Sequence, residues 1–246
     1  MSRIPLVMLH HSGGTAQVFE PLIRALPGTL EAFPFELPGR GRRWREKPLH
    51  TADAAVDDLA AQMKDAGIDG EFAIFGHSMG AYLGLALAAR LEQDSGGSRC
   101  RALFASANAG PLQAKPLFAG DPLTADDEEV LSTAIRFGGL PAPVLEHEQL
   151  RSHAIRLLRE DFAVCDSYVR TLRRTTTESP IVVCCGAGDI FSDTQLDAWR
   201  LSTAAETELV RFDGGHFYLL EEPREVAQAI TAHLRTRAGS TSVRHE

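Results

Sequence analysis

Phe72-Ala73-Ile74-Phe75-Gly76-His77-Ser78-Met79-Gly80-Ala81 carries the chain from an apolar strand through a Gly-x-Ser-x-Gly turn into a helix. Four consecutive apolar residues read as a strand buried on both faces, and the Ala- and Leu-rich run over 81–91 reads as a helix. In so sharp a strand-to-helix turn, the positions two before and two after the serine press against neighbouring backbone, so glycine is required at both. The turn places the Ser78 hydroxyl at a helix N-terminus, where the dipole favours developing negative charge. Ser78 is therefore a candidate nucleophile. A glycine-rich turn with an N-cap serine is the alternative, and the partners of Ser78 decide between the two.

Outward from the turn, strand-like and helix-like stretches alternate. Strands are expected over 4–9, 30–37, 102–105, 180–185 and 208–212, and helices around 19–26, 51–63, 194–204 and 222–234. Thr51 is the expected N-cap of the second helix, with Asp53 in its first turn. A loop containing Ser95-Gly96-Gly97-Ser98 precedes the strand at 102–105. Alternation with short connections implies an α/β fold: a mostly parallel central sheet flanked by helices on both faces. The pattern breaks after Gly110-Pro111. From there to about 177 no strand is expected; Thr124 and Asp127 suggest a capping box, and a long helical stretch covers about 146–172. The organisation expected is a core of 1–110 and 178–236, a helical lid insertion of 111–177, and a disordered tail of 237–246. The insertion should sit over the carboxyl ends of the strands, where such sheets bind ligands.

A serine hydroxyl needs a base. In this fold class the order along the chain is Ser, acid, His, which leaves His216 and His233 as serious candidates. His216, in Asp213-Gly214-Gly215-His216, follows a strand directly, and the two glycines let the loop turn back toward Ser78. His233 lies in the last helix. The orienting acid is Asp189, which follows a strand through Gly186-Ala187-Gly188; Asp193 is the runner-up, and Asp213 is too near His216 in sequence. Two N–H donors for the oxyanion should be Met79, after the nucleophile, and Ser12, with His11 next, in the loop His10-His11-Ser12-Gly13-Gly14. His77 is read as structural, and His10-His11 lacks an evident third metal ligand.

The net charge of −8 over 246 residues argues against nucleic-acid binding. Cys100, Cys165, Cys184 and Cys185 show no zinc spacing and read as free thiols of a reducing compartment. Adjacent Cys184 and Cys185 should face opposite sides of their strand. The apolar run at 4–9 is too short for a secretory signal, and no stretch approaches a membrane span, so a cytoplasmic location is expected.

Taken together, the segments resemble the type II thioesterases of non-ribosomal peptide and polyketide synthase pathways. His11-Ser12-Gly13-Gly14 is similar to that family's oxyanion loop, with Ser12 where alanine is usual and His10 where proline is usual. Pro38-Gly39-Arg40-Gly41, with Arg43, Glu46 and Pro48 following, resembles its Pro-Gly-Arg-Gly segment, though Arg42 replaces an acidic residue. Gly76-His77-Ser78-Met79-Gly80, Glu160-Asp161-Phe162 with Tyr168, and Gly214-Gly215-His216-Phe217-Tyr218-Leu219 also match its nucleophile turn, second lid helix and histidine loop. The resemblance implies an α/β-hydrolase fold, a Ser78–His216–Asp189 triad, no cofactor and no metal. It also implies an acyl or peptidyl carrier protein as partner, its phosphopantetheine thioester being the substrate. No nucleic acid or membrane is implied, and a monomer is expected. An esterase, an acyltransferase and a non-catalytic carrier-binding protein are the rival functions. Arg40, Arg42, Arg43, Arg45 and Lys47 form a cationic stretch that could attract an acidic carrier or its phosphate; a solvated loop or an internal brace is the alternative.

Overall fold

The apolar runs pair edge to edge in one parallel sheet. The computed structural model describes residues 3–94 and 97–240. Its elements are β1 (Ile4–Leu9), α1 (Glu20–Ala25), β2 (Leu30–Phe35), α2 (Ala52–Asp65), β3 (Glu71–His77), α3 (Met79–Gln93), β4 (Arg99–Ser106), α4 (Asp127–Arg136), α5 (Ala142–Glu146), α6 (Glu148–Thr171), β5 (Ile181–Gly186), α7 (Asp193–Asp197), β6 (Thr207–Phe212), α8 (Tyr218–Glu221) and α9 (Pro223–Ser240). The strands lie in the order β2-β1-β3-β4-β5-β6, every neighbouring pair parallel. The chain leaves β1 toward β2 and returns to add β3 on the other side. The loops after β1 and β3 therefore diverge, which opens a crevice at the carboxyl edge.

Side-chain alternation along the strands builds two cores. Val7 and Leu9 point into one, with α2, α3, the C-terminal half of α6 and Trp199; Leu6 and Met8 point into the other, with α1, α8 and α9. Cys185 and Cys184 divide in the same way, as adjacent strand positions must. α3 is buried from Met79 to Ala89, which accounts for its lack of a polar face.

No strand lies between β4 and β5 among the described residues. Phe118, Val130, Ala134, Ile155, Leu158 and Phe162 form a third core there. α6 belongs to both bodies: Val164, Tyr168 and Val169 on its C-terminal turns enter the main core. Three local expectations change. Asp126, not Thr124, caps α4: its side chain accepts from the Glu129 N–H at 2.8 Å, while Thr124 closes the preceding turn by donating to the Asp121 carbonyl. The stretch expected at 146–172 breaks at His147, whose extended backbone separates α5 from α6. The helix expected at 194–204 starts at a capping box of Ser192 and Gln195 and gives way to a 3-10 turn over Ala198–Ser202. α9 continues to Ser240, into the stretch expected as tail; 241–246, like 95–96 of the expected loop, lie outside the described residues.

Candidate active site

Ser78 stands at the end of β3 with φ 54° and ψ −113°, a backbone conformation costly for any residue with a side chain. Three hydrogen bonds hold it there. Its N–H donates to the Ser106 carbonyl at 2.8 Å, and its carbonyl accepts from Ala81 N–H at 3.0 Å and from Asn108 Nδ2 at 2.9 Å. A side chain on Gly76 would strike the Gly80 carbonyl, and one on Gly80 would strike the Leu9 carbonyl. The turn is thus packed against itself and against the end of β1. Met79 opens α3, where an amide has no intrahelical acceptor.

His216 and Asp189 arrive on the loops after β6 and β5. These loops are laced together: Ala187 N–H donates to the Phe212 carbonyl and Gly188 N–H to the Gly214 carbonyl, each at 2.8 Å. His216 Nδ1 lies 3.1 Å from both oxygens of Asp189, whose side chain is fully buried and also accepts from the Ile190 N–H at 2.7 Å. An ionised carboxylate only accepts, so Nδ1 carries the hydrogen and Nε2 is left with a lone pair. Asp193 instead pairs with Arg211 in solvent, Asp213 is exposed, and His233 Nδ1 faces Glu208 at 3.1 Å.

Ser78, Met79, Ser12, His11 and His216 line one cavity of about 660 Å³. Its far walls are mainly apolar, with Phe137, Leu158, Phe162, Val169 and Phe191 among them. Within the β1 loop, Gly13 N–H donates to Asp161 at 2.7 Å and Gly14 N–H to the His11 carbonyl at 3.0 Å. Cys165 also faces the cavity, but burial pushes its thiol up to about 12, which keeps it protonated at neutral pH. All four cysteines are free.

Two residues that local patterns do not single out join this site. His77 Nδ1 is 2.8 Å from Ser106 Oγ, which is 2.7 Å from the Tyr218 hydroxyl. The chain ties the residue before Ser78 to a residue just after His216. Their only sequence signal is position, at the end of β4 and two residues past His216. His10 donates from Nδ1 to the His11 carbonyl at 2.8 Å and accepts the Leu37 N–H at Nε2. Burial, then the Arg40 charge, lowers His10 to about 4; burial, then His10 and His216, lowers His11 to about 3; burial, then His216 and His11, holds His77 well below the usual value.

The cationic stretch divides. Arg40 is buried against Asp161, and Arg43 binds Asp58 with both terminal nitrogens at 2.6 and 2.7 Å and also Glu46, so these two brace the fold rather than face a partner. Arg42, Arg45 and Lys47 are exposed, and Arg45 lies 4.7 Å over the ring of Trp44, which is 64% exposed.

The family described as thioesterase domain matches residues 4–234 of the chain. The gramicidin S biosynthesis protein GrsT of Aneurinibacillus migulanus is 30% identical over 235 residues, covering 95% of this chain and 90% of that protein. Among solved structures, ClbQ from the colibactin NRPS/PKS pathway superposes with a TM-score of 0.85 at 27% identity, covering 96% of this chain and 98% of its own. The type II thioesterase BorB from the borrelidin biosynthetic cluster superposes with a TM-score of 0.80 at 30% identity, covering 94% and 93%. No helix among the described residues is long and apolar enough to cross a membrane.

The buried histidines set a pH dependence. His10 and His11 titrate at about 4 and 3 in the fold, against 6.5 in an unperturbed chain. Between those limits the unfolded chain binds protons that the fold does not, so stability is full above pH ~6.5 and falls on acidification, by about 1.4 kcal/mol per pH unit for each such group. Urea unfolding at successive pH values should show a midpoint that is level above pH ~7 and drops steadily toward pH ~5. A midpoint unchanged over that range would contradict neutral, buried rings.

Proposed function

Because the chain belongs to the thioesterase family, we propose that it hydrolyses acyl or aminoacyl thioesters carried on the phosphopantetheine arm of carrier proteins, with Ser78, His216 and Asp189 as its triad. The observation that carries this is the fully buried Asp189 carboxylate against His216 Nδ1, with His216 and the strained Ser78 lining the same cavity. His216 Nε2 takes the Ser78 hydroxyl proton as Oγ attacks the thioester carbonyl. The N–H groups of Met79 and Ser12 receive the oxyanion. Collapse expels the arm's thiol, which leaves with the proton from His216, and the acyl group stays on Ser78. Water, deprotonated by His216, then attacks this ester, and the free acid departs. Asp189 holds the imidazole in the required tautomer and stabilises its charged form.

Residues 111–177 act as the lid, with α6 supplying an apolar wall for the acyl chain. The carrier approaches over Arg42, Arg45 and Lys47, the cations that the fold leaves outward. Hydrolysis would free carriers blocked by stalled or mischarged groups.

Carriers loaded with a panel of acyl groups, read by intact mass, test the reading. The wild type should return the carrier to its free-thiol mass and release acid, Ser78→Ala should leave it loaded, and Asp189→Asn should lower kcat by about 10⁴. Release by Ser78→Ala at the wild-type rate would contradict it, and a conjugated product in place of acid would indicate acyl transfer. Charge reversal at Arg42 and Arg45 should raise KM for a carrier-bound substrate by about tenfold while sparing a small free thioester. Equal effects on both substrates would remove the docking surface.

A further inference from the structure

Two segments that the triad does not use, Pro38-Gly39-Arg40-Gly41 and Glu160-Asp161-Phe162, meet 121 residues apart in the chain. Arg40 Nη1 donates to Asp161 Oδ2 at 2.5 Å and Nη2 to Oδ1 at 2.6 Å, both side chains being buried. The same Oδ2 accepts the Gly13 N–H at 2.7 Å, and Nη1 also reaches the Gly14 carbonyl at 3.4 Å. One planar pair thus grips consecutive residues of the β1 loop, one by its N–H and the next by its C=O. A further contact from the same helix lies beside it: Cys165 Sγ is 3.4 Å from Ser12 Oγ. The loop's own backbone contributes Gly14 N–H to the His11 carbonyl.

We infer that Asp161, clamped by Arg40, is a positioning residue that sets the β1 loop so that the Ser12 N–H faces Ser78. This rests on the proposed role of Ser12 as oxyanion donor. Stability alone is a weak reason for such a pair, because well-packed apolar residues often replace a buried ion pair without loss. The pair's geometry is spent on the loop. Leu158, Phe162 and Cys165 line the cavity from the turns of α6 on either side of Asp161. The helix that lines the cavity therefore also holds the β1 loop.

The double variant Arg40→Met/Asp161→Leu removes both charges together and leaves the Gly13 N–H without its acceptor; Arg40→Lys keeps a cation but loses the bidentate fork. Both are assayed as folded protein for thioester hydrolysis and for affinity toward an alkyl boronic acid, whose tetrahedral serine adduct places an oxygen in the oxyanion site. In the double variant, kcat should fall by about 10²-fold with KM within threefold, and boronate affinity should fall in parallel; Arg40→Lys should lie between it and the wild type. A kcat per folded enzyme within threefold of wild type in both variants, or a fall in kcat with boronate affinity unchanged, would overturn the inference. A wild type that neither hydrolyses thioesters nor binds the boronate would instead count against the catalytic reading on which it rests.

Discussion

The structure depends on a contact between backbones. Gly76 faces the Gly80 carbonyl and Gly80 faces the Leu9 carbonyl, with no room for a Cβ at either. That approach lets β3 turn directly into α3 beside the end of β1. It forces Ser78 into a left-handed conformation and sets it next to the loop that leaves β1. The strain is retained because Ser106, Asn108 and Ala81 bond to both sides of Ser78, and because α3 is buried along most of its length. A serine on a flexible loop would need none of this, but it would not be held at one place on the sheet edge.

The rest of the site is registered to that turn through the sheet. The β5 and β6 loops bond to each other, which fixes Asp189 relative to His216. The His77–Ser106–Tyr218 chain ties the turn holding Ser78 to the loop holding His216. Arg40 and Asp161 tie the β1 loop to α6. The His77 ring packs 5.3 Å from that of His216 and 5.8 Å from that of His11, and desolvation keeps His10, His11 and His77 neutral at pH 7.

The inner strands were legible because a strand buried on both faces must be a short apolar run, as β1, β3 and β5 are, whereas the edge strands β2 and β6 are partly exposed and carry charges such as Glu31, Glu208 and Arg211. Ser78, Asp189 and His216 were legible for a related reason: each follows a strand through a glycine, so all three reach the carboxyl edge. The long-range pairs were not. Arg40 and Asp161 lie 121 residues apart, and Ser106 and Tyr218 lie 112 apart, so no local spacing marks them. Charge density alone could not divide the cationic stretch. Five neighbouring cations look alike in sequence, but Arg40 is buried on Asp161, Arg43 is half-buried on Asp58, and Arg42, Arg45 and Lys47 are left outside. At α4, Thr124 and Asp126 both have an acid three residues on, and only the preceding turn at Asp121 decides which of them caps the helix.

The central claim is that Ser78 itself takes the acyl group from the carrier. Rapid quenching of the wild type mixed with an acyl-loaded carrier, followed by intact-mass measurement and peptide mapping, tests it most directly. The expected result is a transient mass gain equal to the acyl group, located on the peptide containing Ser78 and absent from Ser78→Ala. An adduct on another residue such as Cys165, or full turnover with no adduct at any time, would contradict it.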